Sequence, residues 1–130
     1  MPDNDGLTRA VLIADDDSLV RMVLRMAVEN LGHDVVDVAS SDELMALADH
    51  TFALCIMDAS MPGATLEHRL SLLETRAPGM PIIVMSGFSD QPDAVQQRGL
   101  PFMAKPISLD DLTTALNAVV PNARSEMDPA

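Results

Sequence analysis

The stretch VLIADDD, residues 11–17, joins four apolar residues to three consecutive aspartates. Three other short apolar runs also end in a polar residue: residues 52–57 end at Asp58, residues 81–85 at Ser86, and residues 102–104 at Lys105. Short runs that are apolar throughout are typical of parallel strands covered on both faces. Because the carboxyl ends of parallel strands lie along one edge of a sheet, we expect these polar groups to gather there.

Segments of helical period separate the apolar runs. Leucines and valines at helical spacing predict a first helix that stops at Gly32. Ser40 and Glu43 have the spacing of a capping box and open a helix that we expect to run through Ala48. Thr65 is a suitable cap for a third helix. A short helix over residues 93–98 and a last one, capped by Ser108 and stopped by Pro121, complete the series.

A short β-branched run at residues 34–38 supplies one more strand, so the chain reads as five βα units. Alternation of this kind predicts a parallel sheet with helices on both faces. We therefore predict an α/β fold: a doubly wound (βα)5, flavodoxin-like three-layer sandwich with strand order 2-1-3-4-5. One domain over residues 7–121 is expected, with flexible tails at residues 1–6 and 122–130.

Composition limits the classes of function. The 130 residues carry a formal net charge of −12, and Lys105 is the only lysine. Nucleic acid is therefore not expected as a partner, because binding a polyanion requires clustered basic residues. No apolar stretch approaches the length of a membrane span, and the N-terminus lacks the pattern of a signal peptide, so a cytoplasmic protein is expected. The lone Cys55 is interpreted as a small buried hydrophobic residue.

The aspartates at the strand ends predict a metal site. In the expected topology Asp15, Asp16 and Asp58 share one crevice, and two carboxylates about 4 Å apart repel by roughly 4 kcal/mol at an effective dielectric near 20. Mg²⁺ offsets such repulsion well, since it prefers oxygen ligands and is typically held by one or two carboxylates with phosphate oxygens. Asp17, with Ser18 as a possible partner, is assigned to capping the first helix.

Asp58 is the candidate nucleophile. A carboxylate held beside a bound cation can attack phosphorus and form an aspartyl-phosphate. Phosphoryl transfer requires alignment and positive charge around the equatorial oxygens, which Mg²⁺ and Lys105 can supply. Ser86 can donate a hydrogen bond to a further phosphate oxygen.

With these residues in place, the sequence resembles the receiver domain of two-component response regulators, in the short form attached to hybrid histidine kinases. The resemblance covers residues 9–120 and rests on four motifs: VLIADDD at 11–17, IMDASMPG at 56–63, IIVMSG at 82–87 and FMAKP at 102–106. It implies that Asp58 accepts phosphate from a histidine kinase or a histidine phosphotransfer protein. It also implies that Mg²⁺ is ligated by Asp16, Asp58 and the Ser60 carbonyl, with Asp15 acting through water.

The resemblance further implies a switch. Ser86 would move toward the phosphate, Phe102 would rotate into the vacated space, and Lys105 would bind the phosphate. The expected protein is a stand-alone receiver that assists only its own phosphorylation and dephosphorylation, is not otherwise an enzyme, and signals by contact with an unknown downstream protein.

Two departures from the family pattern carry expectations of their own. The stretch from Ser86 to Gly99 is short and contains Pro92, which predicts a stunted fourth helix. Gly63-Ala64-Thr65 stands where the family usually has an acidic residue and a glycine, which predicts a changed loop near Asp58. The three histidines, His33, His50 and His68, are interpreted as solvated surface residues.

Two alternatives remain open at this stage. Asp15 and Asp17 have the spacing of the acid pair of a haloacid-dehalogenase-type, Mg²⁺-dependent phosphatase, although that interpretation leaves Asp58 without a role. The chain could also be a binding module of the same fold that never carries phosphate, against which the complete set of acids, Ser86 and Lys105 argues.

Overall fold

Five parallel strands form the centre of the molecule in a computed structural model that describes residues 10–47, 50, 52–87 and 92–119. In chain order they are β1 Val11–Ala14, β2 Val35–Val38, β3 Leu54–Asp58, β4 Ile82–Ser86 and β5 Phe102–Ala104. They hydrogen-bond in the order β2-β1-β3-β4-β5, with every pair parallel. The predicted strand order is confirmed.

Within the described part of the chain, five helices connect and flank the strands: α1 Ser18–Asn30, α2 Ser41–Ala46, α3 Leu66–Arg76, α4 Asp93–Arg98 and α5 Leu109–Val119. Three predicted N-caps are confirmed, since the side chains of Asp17, Ser40 and Thr65 accept hydrogen bonds from first-turn amides of α1, α2 and α3. Ser108 likewise accepts from the amide of Asp111 at the start of α5. The second helix is shorter than predicted and ends at Ala46, while residue 48 lies outside the described residues.

The sheet separates two apolar clusters. Alternate side chains of each strand point to opposite faces, so Leu12 and Ile13 belong to different clusters. Helices α2, α3 and α4 cover one face through Leu44, Leu70, Leu73 and Val95, whereas α1 and α5 cover the other through Leu24, Val28, Leu112 and Leu116. Cys55 is fully buried on the first face, and burial raises the pKa of its thiol to about 12, as expected for a small core residue.

The fourth helix is stunted, as predicted. It spans six residues after Pro92 and ends at Gly99, whose φ of +65° lies in the left-handed region that glycine adopts freely. Arg98, at its last position, bridges to α3: both guanidinium η nitrogens contact the carboxylate of Glu67, and Nε donates to Glu74 at 2.8 Å. The short helix is therefore attached to its neighbour by a multiply bonded ion pair.

One surface interpretation is wrong. His33 is only 7% exposed, whereas His50 and His68 are exposed as predicted. The link between α1 and β2 holds only residues 31–34, and the amide of His33 donates to the carbonyl of Val28 in α1. So short a connection runs against the protein rather than out into solvent.

No helix within the described residues is long and apolar enough to cross a membrane. The predicted tails, residues 1–6 and 122–130, lie outside the part of the chain that the structure describes.

Candidate functional site

Three aspartates meet at the carboxyl edge of the sheet. Asp15 and Asp16 follow β1, and Asp58 is the last residue of β3, the strand paired with β1. One carboxylate oxygen from each lies within 4.8 Å of the others. Asp15 has no exposed surface and Asp58 is 4% exposed, whereas Asp16 is open to solvent. The predicted convergence of these acids is present, with one side of the cluster accessible.

Lys105 supplies positive charge to the cluster. It follows β5, and its Nζ lies 2.7 Å from Oδ2 of Asp15 and 3.2 Å from Oδ2 of Asp58. Burial by itself would lower the pKa of Lys105, but the two carboxylates outweigh burial and raise that pKa above its ordinary value. The ammonium therefore stays charged and partly neutralises the two buried acids.

Asp58 is held in an environment that penalises its charge. Burial raises the pKa of its carboxyl, and the neighbouring Asp15 adds to the increase. The amide of Ser60, which donates to Oδ1 at 3.2 Å, and the charge of Lys105 act in the opposite direction. The net shift is upward, so the ionised carboxylate gains from any further positive charge placed beside it.

The donor set fits Mg²⁺. All three side chains offer carboxylate oxygens, the ligand type that Mg²⁺ prefers. Oxygens on opposite sides of an octahedral Mg²⁺ lie about 4.2 Å apart, so a span of 4.8 Å fits one ion if one acid acts through water or moves by a few tenths of an ångström.

Ser86 and Phe102 lie on the same face of the sheet. Ser86 ends β4 with 3% of its surface exposed, and its Cα partner on β5 is Ala104. Phe102, two residues before Ala104, is half-buried and packs against the cluster covered by α2, α3 and α4. Alternation along the strands therefore places the hydroxyl-bearing and aromatic side chains on a common face, close to the acidic edge.

Sequence reasoning missed one residue at this edge. Arg69, in α3, is 1% exposed, and its guanidinium donates to the main-chain carbonyls of Asp58 and Ala59 at 2.9 and 2.8 Å. A signal was available, because Arg69 occupies the apolar stripe that Leu66, Leu70 and Leu73 form at helical spacing. A charged residue in such a stripe requires a buried partner.

Comparison with known proteins identifies the family. The sequence model of the family described as the response regulator receiver domain matches residues 11–117, which is well over half of the chain. The chain belongs to the response regulator receiver family. This receiver domain is 28% identical over 123 residues to the DNA-binding transcriptional regulator NtrC of Salmonella typhimurium, a match that covers 92% of the chain and 26% of NtrC.

Other matches agree with that assignment. The receiver is 32% identical over 125 residues to the transcriptional regulatory protein PdtaR of Mycobacterium tuberculosis, covering 92% of the chain and 60% of PdtaR. It therefore spans about a quarter of the length of NtrC and less than two thirds of PdtaR. The crystal structure of a CheY-like receiver domain protein from Methanospirillum hungatei JF-1 shares its fold, with a TM-score of 0.80 at 22% identity over 91% of this chain and 98% of that one.

Proposed function

We propose that Asp58 is the phosphoacceptor of this receiver and that it takes its phosphoryl group from a histidine kinase or a histidine phosphotransfer protein. The observation that carries the proposal is the position of Asp58. One of its carboxylate oxygens lies within 4.8 Å of a carboxylate oxygen of Asp15 and of Asp16, and its Oδ2 is 3.2 Å from the ammonium of Lys105. Asp16 is exposed, so solvent reaches this edge of the sheet. A nucleophilic carboxylate, a set of hard ligands and a fixed cation thus occupy one accessible crevice.

The chemistry follows from these groups. A carboxylate oxygen of Asp58 forms a bond to phosphorus while the bond from phosphorus to the donor imidazole nitrogen breaks, and the electron pair leaves with the imidazole. Lys105 lies within reach of the same carboxylate and stabilises the charge on the transferring oxygens. Ser86, buried at the end of β4, donates a hydrogen bond to the phosphate once it is present.

We propose Mg²⁺ as the cofactor. Asp16, Asp58 and the carbonyl of Ser60 would hold the ion, and Asp15 would contribute through water. When bound, Mg²⁺ offsets the mutual repulsion of the acids and supplies positive charge to the phosphoryl oxygens. The raised pKa of Asp58 supports this assignment, since the site as it stands disfavours the carboxylate that the reaction needs.

The response to phosphate is proposed to pass through Ser86 and Phe102. Phosphorylation adds negative charge and new acceptor oxygens at Asp58, which draw the hydroxyl of Ser86 toward them. Phe102 shares a sheet face with Ser86 and is only half-buried, so it has both the position and the freedom to repack. The resulting surface change near β5 would then be recognised by a downstream protein.

The phosphodonor protein is proposed to dock on α1. Four apolar side chains project from this helix with about half or more of their surface exposed: Leu19, Met22, Val23 and Met26. A groove of about 220 Å³ joins Leu19 and Val23 to Lys105 and Ile107, so the apolar surface continues to the edge of the acidic site. A helical partner with an apolar face and a phosphohistidine at its rim would match this arrangement.

Labelling with acetyl phosphate tests the proposal. The wild-type protein with Mg²⁺ should gain one phosphoryl group per chain by intact mass spectrometry, and EDTA or Asp58→Asn should abolish the gain. Asp34→Asn is the matched control, because Asp34 is an exposed aspartate of the α1–β2 link. Continued hydrolysis of a generic phosphate ester would favour a phosphatase instead. No reaction with acetyl phosphate, and no response to beryllofluoride with Mg²⁺, would favour a binding module.

A further inference from the structure

The loop that follows the phosphoacceptor is closed by a single buried side chain. The guanidinium of Arg69 donates from Nη1 to the carbonyl of Asp58 at 2.9 Å, from Nη2 to that of Ala59 at 2.8 Å, and from Nε to that of Ala64 at 3.2 Å. The first two carbonyls begin the connection between β3 and α3, and the third lies one residue before the helix cap. One planar group therefore links both ends of this loop.

Burial makes this arrangement specific to arginine. Arg69 is 1% exposed, so its charge depends on partners within the protein. A guanidinium presents its donors in a fixed fork, and here each of its three nitrogens donates to a different carbonyl. An apolar residue of similar size would leave the carbonyls of Asp58 and Ala59 without this donor, and lysine would reach fewer of the three carbonyls.

The hydrogen-bonded carbonyls lie directly before the expected metal ligand. Ser60 follows Asp58 and Ala59, and its amide already donates to the carboxylate of Asp58. With the two preceding carbonyls fixed, the direction of the main chain at Ser60 is fixed as well. Arg69 also contacts Asp58 from the main-chain side, whereas Lys105 contacts its carboxylate directly.

We propose that Arg69 is a positioning residue of the acidic site: it closes the loop over residues 59–65 and thereby holds the Asp58 carboxylate and the Ser60 carbonyl in the geometry that binds Mg²⁺. This inference rests on the proposed function and deepens it. A purely structural arginine, which only attaches α3 to the sheet, would support global stability and leave the affinity for Mg²⁺ unchanged.

Three variants separate these roles. Arg69→Met removes the donors at similar length, Arg69→Lys retains the charge with fewer hydrogen bonds, and Arg76→Met makes the same chemical change at an exposed position of the same helix. Far-UV circular dichroism establishes that each variant folds. Should Arg69→Met fail to fold, Arg69→Lys carries the comparison.

The first measurement needs no metal. The amide of Ala59 donates to the carbonyl of Met85 at 2.7 Å, so its hydrogen exchange reports on the start of the loop. With the amides of β1 as the internal reference, we expect the Ala59 amide of Arg69→Met to exchange about 10-fold faster than that of the wild type. The increase should be smaller in Arg69→Lys, and Arg76→Met should exchange at the wild-type rate.

The second measurement is Mg²⁺ affinity by NMR titration. We expect the dissociation constant to rise by about 10-fold in Arg69→Met, with partial recovery in Arg69→Lys. Wild-type Mg²⁺ affinity in a folded Arg69→Met would overturn the inference, whatever the exchange rate at Ala59, and so would a wild-type protein that binds no Mg²⁺. A wild-type protein that binds Mg²⁺ but takes no phosphate from acetyl phosphate would refute the proposed function alone.

Discussion

The ammonium of Lys105 lies 2.7 Å from Oδ2 of Asp15, a carboxylate with no exposed surface. The same ammonium is 3.2 Å from Asp58, so one cation serves two buried acids. Because Asp15 follows β1, Asp58 ends β3 and Lys105 follows β5, this contact joins the two halves of the sheet across its carboxyl edge. The integrity of the metal-free site therefore depends on Lys105.

Replacing Lys105 by methionine should destabilise the metal-free protein by about 2 kcal/mol, less than for a fully buried pair because Lys105 is 22% exposed. Urea denaturation at neutral pH measures this loss. Asp15→Asn in the same background should restore part of it, because the uncompensated charge is then removed. The rate of acetyl phosphate labelling should fall by about 100-fold. Wild-type stability in Lys105→Met would contradict this account of the ion pair.

Asp58→Asn should stabilise the metal-free protein at neutral pH. The pKa of Asp58 is raised in the folded state, chiefly by burial, so ionisation at pH 7 costs folding free energy. That cost develops as pH rises from the ordinary value of 3.8 through the raised folded pKa and is complete above it. The stabilisation should therefore be largest at pH 7 and shrink toward pH 3.8. If the stability advantage of Asp58→Asn over the wild type grew on acidification, the raised pKa of Asp58 would be contradicted.

Magnesium should raise the melting temperature of the wild-type receiver. A ligand at ten times its dissociation constant stabilises the state that binds it by about 1.4 kcal/mol. Asp16→Asn should lose most of this increase, because Asp16 is the exposed acid of the cluster and is not paired with Lys105. Thermal unfolding followed by circular dichroism, with MgCl₂ and with KCl at equal ionic strength, makes the comparison. Asp42→Asn, at an exposed position in α2, is the control: its melting temperature should rise with Mg²⁺ by as much as that of the wild type.

The pKa of Glu67 should be lower in the wild type than in Arg98→Met. Hydrogen bonds from Arg98 hold this pKa below its ordinary value of 4.5, so their stabilising effect is present above pH 4.5 and is lost as pH falls through the folded value. Titration of the Glu67 carboxyl followed by ¹³C NMR gives both midpoints directly. High salt should reduce the difference between the Glu67 pKa of the wild type and that of Arg98→Met, because the ion pair lies at the surface and is screened. Identical midpoints would mean that the bridge between α3 and α4 is not populated in solution.

Polar substitutions on α1 should slow phosphorylation by the kinase without affecting phosphorylation by a small molecule. Leu19→Gln combined with Met26→Gln removes the two most exposed apolar side chains of the proposed docking surface. We expect kcat/KM for transfer from the phosphorylated cognate kinase to fall by about 10-fold, with the acetyl phosphate rate retained. Leu109→Gln is the matched control, because Leu109 is similarly exposed but lies on α5. Equal losses with both donors would place the effect at the acidic site.

The strand order and the meeting of the acids followed from local patterns. Four of the five strands are apolar apart from the polar last residue of β3 and of β4, and each of the first three helices has a side-chain cap immediately before it. Parallel topology alone places Asp15, Asp16 and Asp58 at one edge. The short α4 was equally readable from Pro92 and Gly99. Such features depend on residues close in sequence, or on a topological rule that does not require side-chain coordinates.

Arg69 and His33 were not predicted correctly because burial is decided by tertiary contacts. The acceptors of Arg69 are carbonyl groups, which every residue possesses and which no side-chain pattern reveals. His33 is buried because a four-residue link holds it against the end of α1, although its own neighbours Gly32 and Asp34 are exposed. A polar residue that usually lies at the surface is buried where the path of the main chain allows its side chain no exposed position.

Gly63 joins the loop of residues 59–65 to α2. Its φ is +99°, and a Cβ added there would lie 2.9 Å from the Cβ of Ser41. Ser41 in turn donates from its amide to the carbonyl of Pro62 and from its hydroxyl to that of Ala64. The loop and the first turn of α2 are therefore joined by two hydrogen bonds and a close packing contact. A displacement of this loop would therefore also move the first turn of α2, by a route that involves neither Ser86 nor Phe102.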